Sequence, residues 1–355
     1  MRRTLRFAAG WCCASLALAG CTSLAGRIAE PRTDHPMFST AFRDTLENSN
    51  GITRASFVAS GGNRLVYRVV PAADYRMHYA YTRHDRRAGF DFKVPNDPLR
   101  VERKGTVIFL HGWGDDHITM LPWALALARH GYVGILPDLR NHGESDRAPA
   151  GYGPREAQDV VDLIASLRQR GELQSPVYLF GVSYGATTAI FAAADPAAKV
   201  DGVIAMEPFV NAGKGIRGMI AAVRKMPASG IGGRLANAYA RHAYGAPAVD
   251  HAIAAANARL NLDLDAIDIG ALLRSGATCT LLLEGAHDGF FDPADLRAFA
   301  NAPRVRYVEL AEENHFSLPM RIDLLGEPLS SWLTQATQCP ALPPPQEPIP
   351  QSATP

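Results

Sequence analysis

Short apolar runs alternate along this chain with stretches whose hydrophobic residues recur at helical spacing. The apolar runs are almost continuously hydrophobic, as expected for strands buried on both faces of a parallel sheet. Four of them stand out: Thr106–Leu110, Val133–Pro137, Val177–Phe180 and Gly202–Met206. The alternation of such strands with helical stretches predicts an α/β fold whose mostly parallel sheet is flanked by helices.

Further strands are predicted on either side of these four in the sequence. They are Leu65–Val70 and Met77–Tyr81, as antiparallel opening strands, and Thr280–Leu283 and Val305–Leu310. Core helices are predicted at Leu121–His130, Arg155–Arg170, Ala186–Ala194 and Pro293–Ala300. A long insertion follows the strand Gly202–Met206 and carries three more helical patterns, at 216–225, 233–243 and 249–258.

A serine flanked by glycines lies between a predicted strand and a predicted helix. The segment Gly181-Val182-Ser183-Tyr184-Gly185 directly follows the apolar run that ends at Phe180. A sharp strand-to-helix turn exposes a serine hydroxyl, and its neighbours then come so close that a Cβ at either glycine would clash. Ser183 is therefore a candidate nucleophile.

A serine nucleophile needs a base, and the base needs an acid that fixes its tautomer. Asp288 follows the strand Thr280–Leu283, and His315 follows the strand Val305–Leu310. We predict that Asp288 is the acid and His315 the base. The nearby Asp292 is instead predicted to cap the helix that starts at Pro293.

The oxyanion formed in acyl transfer needs two donors, usually backbone amides. The amide of Tyr184, directly after the nucleophile, is one candidate. The loop His111-Gly112-Trp113-Gly114 follows the strand Thr106–Leu110 and offers the amide of Trp113 as the second. His111 is predicted to orient this loop by a hydrogen bond. A metal site at Asp115, Asp116 and His117 is disfavoured relative to helix-capping roles.

Together these motifs resemble the α/β-hydrolase fold family over roughly residues 66–333. The resemblance implies an eight-stranded, mostly parallel sheet with a helical lid inserted after the sixth strand. It also implies that the segment Asp138–Ser145, with Arg140 and His142, is a structural loop. The expected activity is ester hydrolysis by Ser183, His315 and Asp288, with no cofactor and no metal.

The amino terminus carries a second signal. Arg2, Arg3 and Arg6 precede an apolar stretch too short to span a membrane, which predicts a secretory signal. The stretch ends Leu18-Ala19-Gly20-Cys21, which resembles a bacterial lipobox. This resemblance implies cleavage before Cys21, acylation of its thiol and anchoring in the cell envelope, with Thr22 favouring the outer membrane.

These patterns predict six successive regions. They are a signal peptide (1–20), a linker (21–53), a first part of the core (54–208), a helical lid (209–272), a second part of the core (273–335) and a Pro-rich disordered tail (336–355).

Charge and cysteine content limit the partners. The chain has 36 Lys and Arg against 35 Asp and Glu, and loss of the three signal arginines leaves 33 against 35, so a nucleic-acid partner is disfavoured. Cys12 and Cys13 leave with the signal. Cys279 and Cys339 either pair in an oxidising compartment or remain separate thiols. The expected partners are a small acyl substrate and the lipid anchor, and the oligomeric state stays open.

Several activities fit the same residues. A carboxylic ester hydrolase is the first hypothesis. An aminopeptidase is a second, weakened because Trp113-Gly114 stands where such enzymes usually have a proline, and thioester cleavage or acyl transfer would use the same groups. A catalytically silent, ligand-binding surface lipoprotein is the alternative outside enzymology.

Overall fold

The computed structural model of this 355-residue protein describes residues 24–33, 38–84, 87–225 and 245–344. The predicted signal segment, Cys21 and the helix predicted at 233–243 lie outside the described residues. So do residues 345–355 of the predicted tail.

An eight-stranded sheet forms the centre of the molecule, in the order β1-β2-β8-β7-β9-β10-β11-β12. The strands β1 and β2 are antiparallel, β2 is antiparallel to β8, and all other neighbours are parallel. These strands are β1 (Thr53–Val58), β2 (Arg64–Val70), β7 (Gly105–Leu110), β8 (Tyr132–Pro137), β9 (Val177–Val182), β10 (Gly202–Met206), β11 (Thr280–Gly285) and β12 (Val305–Leu310). The predicted eight-stranded, mostly parallel sheet is thus confirmed.

Helices cover both faces of this sheet because its central strands are apolar on both sides. Val107 and Phe109 of β7 enter one hydrophobic cluster, whereas Ile108 and Leu110 enter the other. The α-helices of the described residues are Leu24–Ala29, Thr40–Ser49, Leu121–Ala128, Pro154–Gln169, Tyr184–Ala194, Ala212–Lys225, Ala246–Leu260, Gly270–Ser275, Pro293–Arg297 and Ile322–Leu333. None of them is long and apolar enough to cross a membrane.

The predicted opening strands need a correction. Leu65–Val70 lies in the sheet as β2, but its partner is β1, an edge strand with mostly exposed residues that has no clear apolar signal. The stretch predicted at Met77–Tyr81 is not in this sheet. It belongs to β4 (His78–His84), which pairs with β5 (Arg87–Lys93) in a separate hairpin. The two short strands β3 (Ala73–Asp74) and β6 (Leu99–Arg100) form another pair.

The linker predicted for residues 21–53 is wrong for the part that the structure describes. Leu24–Ala29 and Thr40–Ser49 are helical, and Ala25, Ile28 and Ala29 are buried in the core beside the helix Ala246–Leu260. Leu24–Ala29 is too short, at six residues, and Thr40–Ser49 has too few apolar residues for periodicity to reveal either helix. Contacts with the rest of the chain stabilise them instead.

The tail predicted to start at residue 336 begins inside the folded domain. Ala336–Gln338 forms a 3₁₀ turn, and Cys339 is disulfide-bonded to Cys279 at the start of β11. The indole N–H of Trp332 also donates to the carbonyl of Pro340, at 3.1 Å. Residues 336–340 are therefore packed on the core, and the disulfide that the sequence left open joins them to the sheet.

Candidate active site

Ser183 occupies a sharp turn between β9 and the helix Tyr184–Ala194. Its backbone has φ 53° and ψ −112°, a conformation that a non-glycine residue adopts only under local constraint. A Cβ at Gly181 would lie 2.2 Å from the carbonyl oxygen of Gly185, and one at Gly185 would lie 2.1 Å from that of Leu110. Only glycine fits at both positions, which confirms the steric reason for the motif.

The structure brings Ser183, His315 and Asp288 together from three separate loops. The Nε2 atom of His315 lies 3.0 Å from the hydroxyl oxygen of Ser183, and its Nδ1 atom lies 2.7 Å from Oδ2 of Asp288. The His315 ring can therefore donate through Nδ1 and accept the serine proton at Nε2. The carboxylate of Asp288 thus fixes the His315 tautomer that a base needs.

Asp288 is held as a carboxylate by its surroundings. Its other oxygen, Oδ1, accepts hydrogen bonds from the amides of Phe290 (2.6 Å) and Phe291 (3.0 Å). Burial acts to raise the pKa of Asp288, but His315 and these amides outweigh it and hold the pKa below its ordinary value. Asp292 lies apart and caps the next helix by accepting from the amide of Ala294, as predicted.

Aromatic rings surround the imidazole of His315. The ring of Phe290 stacks on it at a centroid distance of 4.6 Å, and Phe291 and Phe316 meet it edge-on at 4.9 and 6.0 Å. His315 itself is 8% exposed. These rings limit the orientations of the imidazole and give the site an apolar border.

The loop with the proposed oxyanion donor Trp113 lies against the Ser183 turn. A Cβ at Gly112 would lie 3.9 Å from the carbonyl of Val182, the residue before the serine. Tyr184 begins the helix after Ser183, so its amide belongs to the first turn, whose N–H groups have no acceptor within the helix. Both candidate donors therefore come from segments that border the serine.

Two buried histidines fix this loop. Nδ1 of His111 donates to the carbonyl of Gly112 at 2.8 Å, and Nε2 accepts from the amide of Leu139 at 3.0 Å. His142 accepts from the amide of Gly114 at 3.1 Å. Burial lowers the pKa of His111 to about 4 and that of His142 to about 3, so both rings are neutral. The orienting role predicted for His111 agrees with these contacts.

Of the three polar residues after this loop, Asp116 has the predicted capping role. Asp116 caps a 3₁₀ turn by accepting from the amide of Ile118, at 3.1 Å. His117 points elsewhere and lies between two carboxylates, with Asp138 at 2.7 Å and Glu47 at 3.1 Å. These contacts connect the loop after β8 to the helix Thr40–Ser49.

Sequence reasoning missed one acidic side chain at this site. Glu207 directly follows β10, is fully buried, and has an oxygen 3.6 Å from Nδ1 of His315. Glu207, Asp288 and His315 are the group of described residues whose donor atoms, all within 4.8 Å of one another, could hold a metal ion. Nδ1 of His315 already donates to Asp288, however, which favours proton chemistry there. The available sequence signal for Glu207 was its position at the end of a predicted strand, because the carboxyl ends of parallel strands meet at one edge of the sheet.

Comparison with protein families shows that the segment carrying this site matches a known enzyme family. A model described as the alpha/beta hydrolase family matches residues 107–323, more than half of the chain. The chain belongs to the alpha/beta hydrolase family. The match spans Ser183, Asp288 and His315, and it supports a hydrolase enzyme. No curated protein is significantly similar to the chain in sequence.

Solved structures share the fold at low sequence identity. Esterase Pf2001 from Pyrococcus furiosus is 16% identical with a TM-score of 0.59, and the alignment covers 87% of this chain and 99% of that one. An esterase from Thermogutta terrifontis is 17% identical with a TM-score of 0.51 over 80% and 99% of the two chains. A bacterial membrane phospholipase A is 16% identical with a TM-score of 0.54 over 84% and 90%.

Proposed function

We propose that this alpha/beta hydrolase cleaves carboxylic esters through Ser183, His315 and Asp288. The observation that carries the proposal is the continuous hydrogen-bond chain from the serine hydroxyl through both ring nitrogens to a buried carboxylate. A serine without such a base is a weak nucleophile at neutral pH. The esterase structures that share the fold agree with this proposal.

The reaction proceeds in two steps. The hydroxyl oxygen of Ser183 bonds to the ester carbonyl carbon while its proton moves to Nε2 of His315, and the amides of Trp113 and Tyr184 stabilise the oxyanion. The intermediate expels the alcohol, which takes the proton from His315. Water then attacks the acyl-enzyme, passes a proton to His315 and releases the acid, and the proton returns to Ser183.

Hydrolysis of a chain-length series of p-nitrophenyl esters tests this proposal directly. We expect wild-type protein to show turnover and S183A to lose at least about 10⁴-fold in kcat/KM at equal folded concentration. A fluorophosphonate probe should label wild-type protein and not S183A. Labelling without ester turnover would favour peptide or thioester substrates. Absence of both would favour the silent ligand-binding lipoprotein.

We also propose that the protein is anchored in the bacterial cell envelope by acylation of Cys21. The described residues nearest to Cys21 support a short tether, since the helix Leu24–Ala29 starts three residues later and packs beside the lid helix Ala246–Leu260. Thr33, which follows, bridges the two loops at the site: its hydroxyl donates to the carbonyl of Asp115 and accepts from the amide of Gly143 at 3.0 Å.

This arrangement would hold the site edge of the domain close to the membrane, where acyl lipids are available. Labelled palmitate should be incorporated into wild-type protein and not into C21A when both are expressed with the signal segment. C21A should appear in the soluble envelope fraction with unchanged ester turnover. Equal labelling of the two proteins would overturn the anchor.

A further inference from the structure

Glu207 and Asp288 approach the same ring nitrogen from neighbouring strands. Glu207 follows β10, and its amide donates to the carbonyl of Leu283 in β11 at 2.8 Å, which continues the pairing of these parallel strands. Asp288 lies in the loop that follows β11. The topology therefore delivers two carboxyl groups to Nδ1 of His315, with closest distances of 2.7 Å from Asp288 and 3.6 Å from Glu207.

Glu207 is buried without a hydrogen-bond partner of ordinary geometry among the described residues. Its side chain is 0% exposed, and only a weaker approach by the backbone of Gly285 acts on its carboxyl group as a hydrogen bond there. Its backbone also has a positive φ of 51°. A buried polar group without a partner is destabilising and rare, so its retention needs an explanation. One nitrogen that can donate to it is Nδ1 of His315, at 3.6 Å, which already donates to Asp288.

Electrostatics decides which acid carries the charge. Burial, together with the neighbouring Asp288, Glu284 and Glu313, raises the pKa of Glu207 well above its ordinary value. Burial and the charge of Asp288 therefore both favour the neutral form of Glu207, in which it does not compete with Asp288 for His315 as a carboxylate. Loss of the Asp288 charge would remove the strongest of these repulsions and leave the Nδ1 proton without its partner.

We propose that Glu207 is a reserve acid that can orient His315 through Nδ1 when the carboxylate of Asp288 is absent. This inference rests on the proposed function, because it assigns a positioning residue to the same base. A shift of less than about 1 Å would bring the 3.6 Å contact to ordinary hydrogen-bond distance. No new backbone arrangement is needed.

A neighbouring acid provides a matched control. Glu284 follows Leu283, the partner of Met206 on β11, and is also fully buried; among the described residues its carboxyl oxygens make no hydrogen bond of ordinary geometry, although Asp288 lies close to it. Burial and Asp288 raise its pKa to about 9. Unlike Glu207, it has no described contact with His315. E207Q and E284Q therefore each remove a buried acid beside Asp288, and of these two acids Glu207 is the one that approaches His315.

The test measures the cost of D288N in three backgrounds: wild type, E207Q and E284Q. Where no second acid exists, replacing this aspartate by asparagine costs about 10⁴-fold in activity. Here we expect D288N to cost about 10²-fold in kcat/KM in the wild-type and E284Q backgrounds, and about 10⁴-fold in the E207Q background. Comparing ratios cancels the separate effect of E207Q or E284Q. An equal cost of D288N in all three backgrounds would overturn the proposal.

Two further readouts separate a reserve acid from a residue that only fills space. Activity of D288N should rise with pH as Glu207 ionises, and this rise should disappear in D288N/E207Q. The low-field proton resonance of the His315 Nδ1–H should persist in D288N and disappear in the double variant. Because this resonance does not depend on turnover, its loss already in D288N would refute the reserve acid, whereas inactive wild-type protein would refute only the esterase proposal.

Discussion

Two histidines in this molecule have the same first partner and different second partners. His315 and His117 both place Nδ1 at 2.7 Å from an aspartate, Asp288 and Asp138 respectively. At Nε2, His315 meets the hydroxyl of Ser183, whereas His117 meets the carboxylate of Glu47 at 3.1 Å. An Asp-His pair alone therefore does not distinguish a base from a structural ion pair.

The second partner decides the protonation state. Burial acts to lower the pKa of His117, but Asp138 and Glu47 outweigh burial and raise the pKa to about 9. His117 is therefore an imidazolium at neutral pH, with both protons donated to carboxylates. A hydroxyl instead leaves Nε2 of His315 free to accept a proton. A histidine can therefore act as a base where one of its ring nitrogens lacks an anionic partner.

Replacing each histidine by glutamine gives the largest contrast. H315Q should lower kcat/KM by at least about 10⁴-fold because glutamine cannot take the serine proton. H117Q should leave kcat within about threefold and lower the free energy of unfolding by about 3–5 kcal/mol, because it leaves buried carboxylates unpaired. Ester kinetics and urea unfolding of both variants measure the difference. A comparable loss of kcat in H117Q would contradict the purely structural role assigned to His117.

Replacing each aspartate by asparagine tests the difference between the two Asp-His pairs from the side of the acid. D138N should lower the free energy of unfolding by about 3 kcal/mol or more, since the buried imidazolium loses its closest counter-charge. D288N should lower kcat/KM by about 10²-fold, because Glu207 can replace Asp288. Its effect on the free energy of unfolding should be smaller than that of D138N. Both variants replace one carboxylate oxygen by an amide nitrogen, so their urea unfolding midpoints can be compared directly. A larger loss of stability in D288N than in D138N would contradict this assignment.

The pH dependence of stability is expected to differ in sign from that of an ordinary acid-sensitive pair. The pKa of His117 is raised in the folded state, so its contribution is fully present below its unfolded pKa of about 6.5 and is lost as pH rises toward about 9. We expect wild-type protein to lose up to about 3 kcal/mol more than H117Q between pH 6.5 and 9. Urea unfolding of both proteins at a series of pH values measures this difference. Parallel curves of unfolding free energy against pH would exclude a charged His117.

Neutralising Glu47 should have the smallest effect. E47Q makes the second partner of His117 neutral, as it is at His315, and should lower the pKa of His117 and flatten the alkaline loss of stability. We expect about 1–2 kcal/mol of destabilisation at pH 7, partly because Glu47 also accepts from Arg68 at 2.8 Å. NMR titration of the His117 ring would show the shift. An unchanged pKa would mean that Asp138 alone fixes the charge.

Short sequence motifs predicted those parts of the site that depend only on residues close together in the chain. The glycines at 181 and 185 are needed because their neighbours leave no room for a Cβ, and that need is visible in the sequence. Asp288 and His315 follow apolar runs that are recognisable as strands. Glu207 also follows such a run, but nothing in the segment Met206-Glu207-Pro208 shows that its side chain faces a histidine more than 100 residues away.

The α/β alternation, the turn at Ser183 and the chain order of the three reacting groups could be predicted from the sequence, because periodicity and steric need are local. The tertiary structure decided which acids meet His315, that the segments 24–33 and 38–53 pack on the core, and that Cys279 pairs with Cys339. The physical reason is that burial, charge and hydrogen bonding of these groups depend on neighbours that only folding brings together.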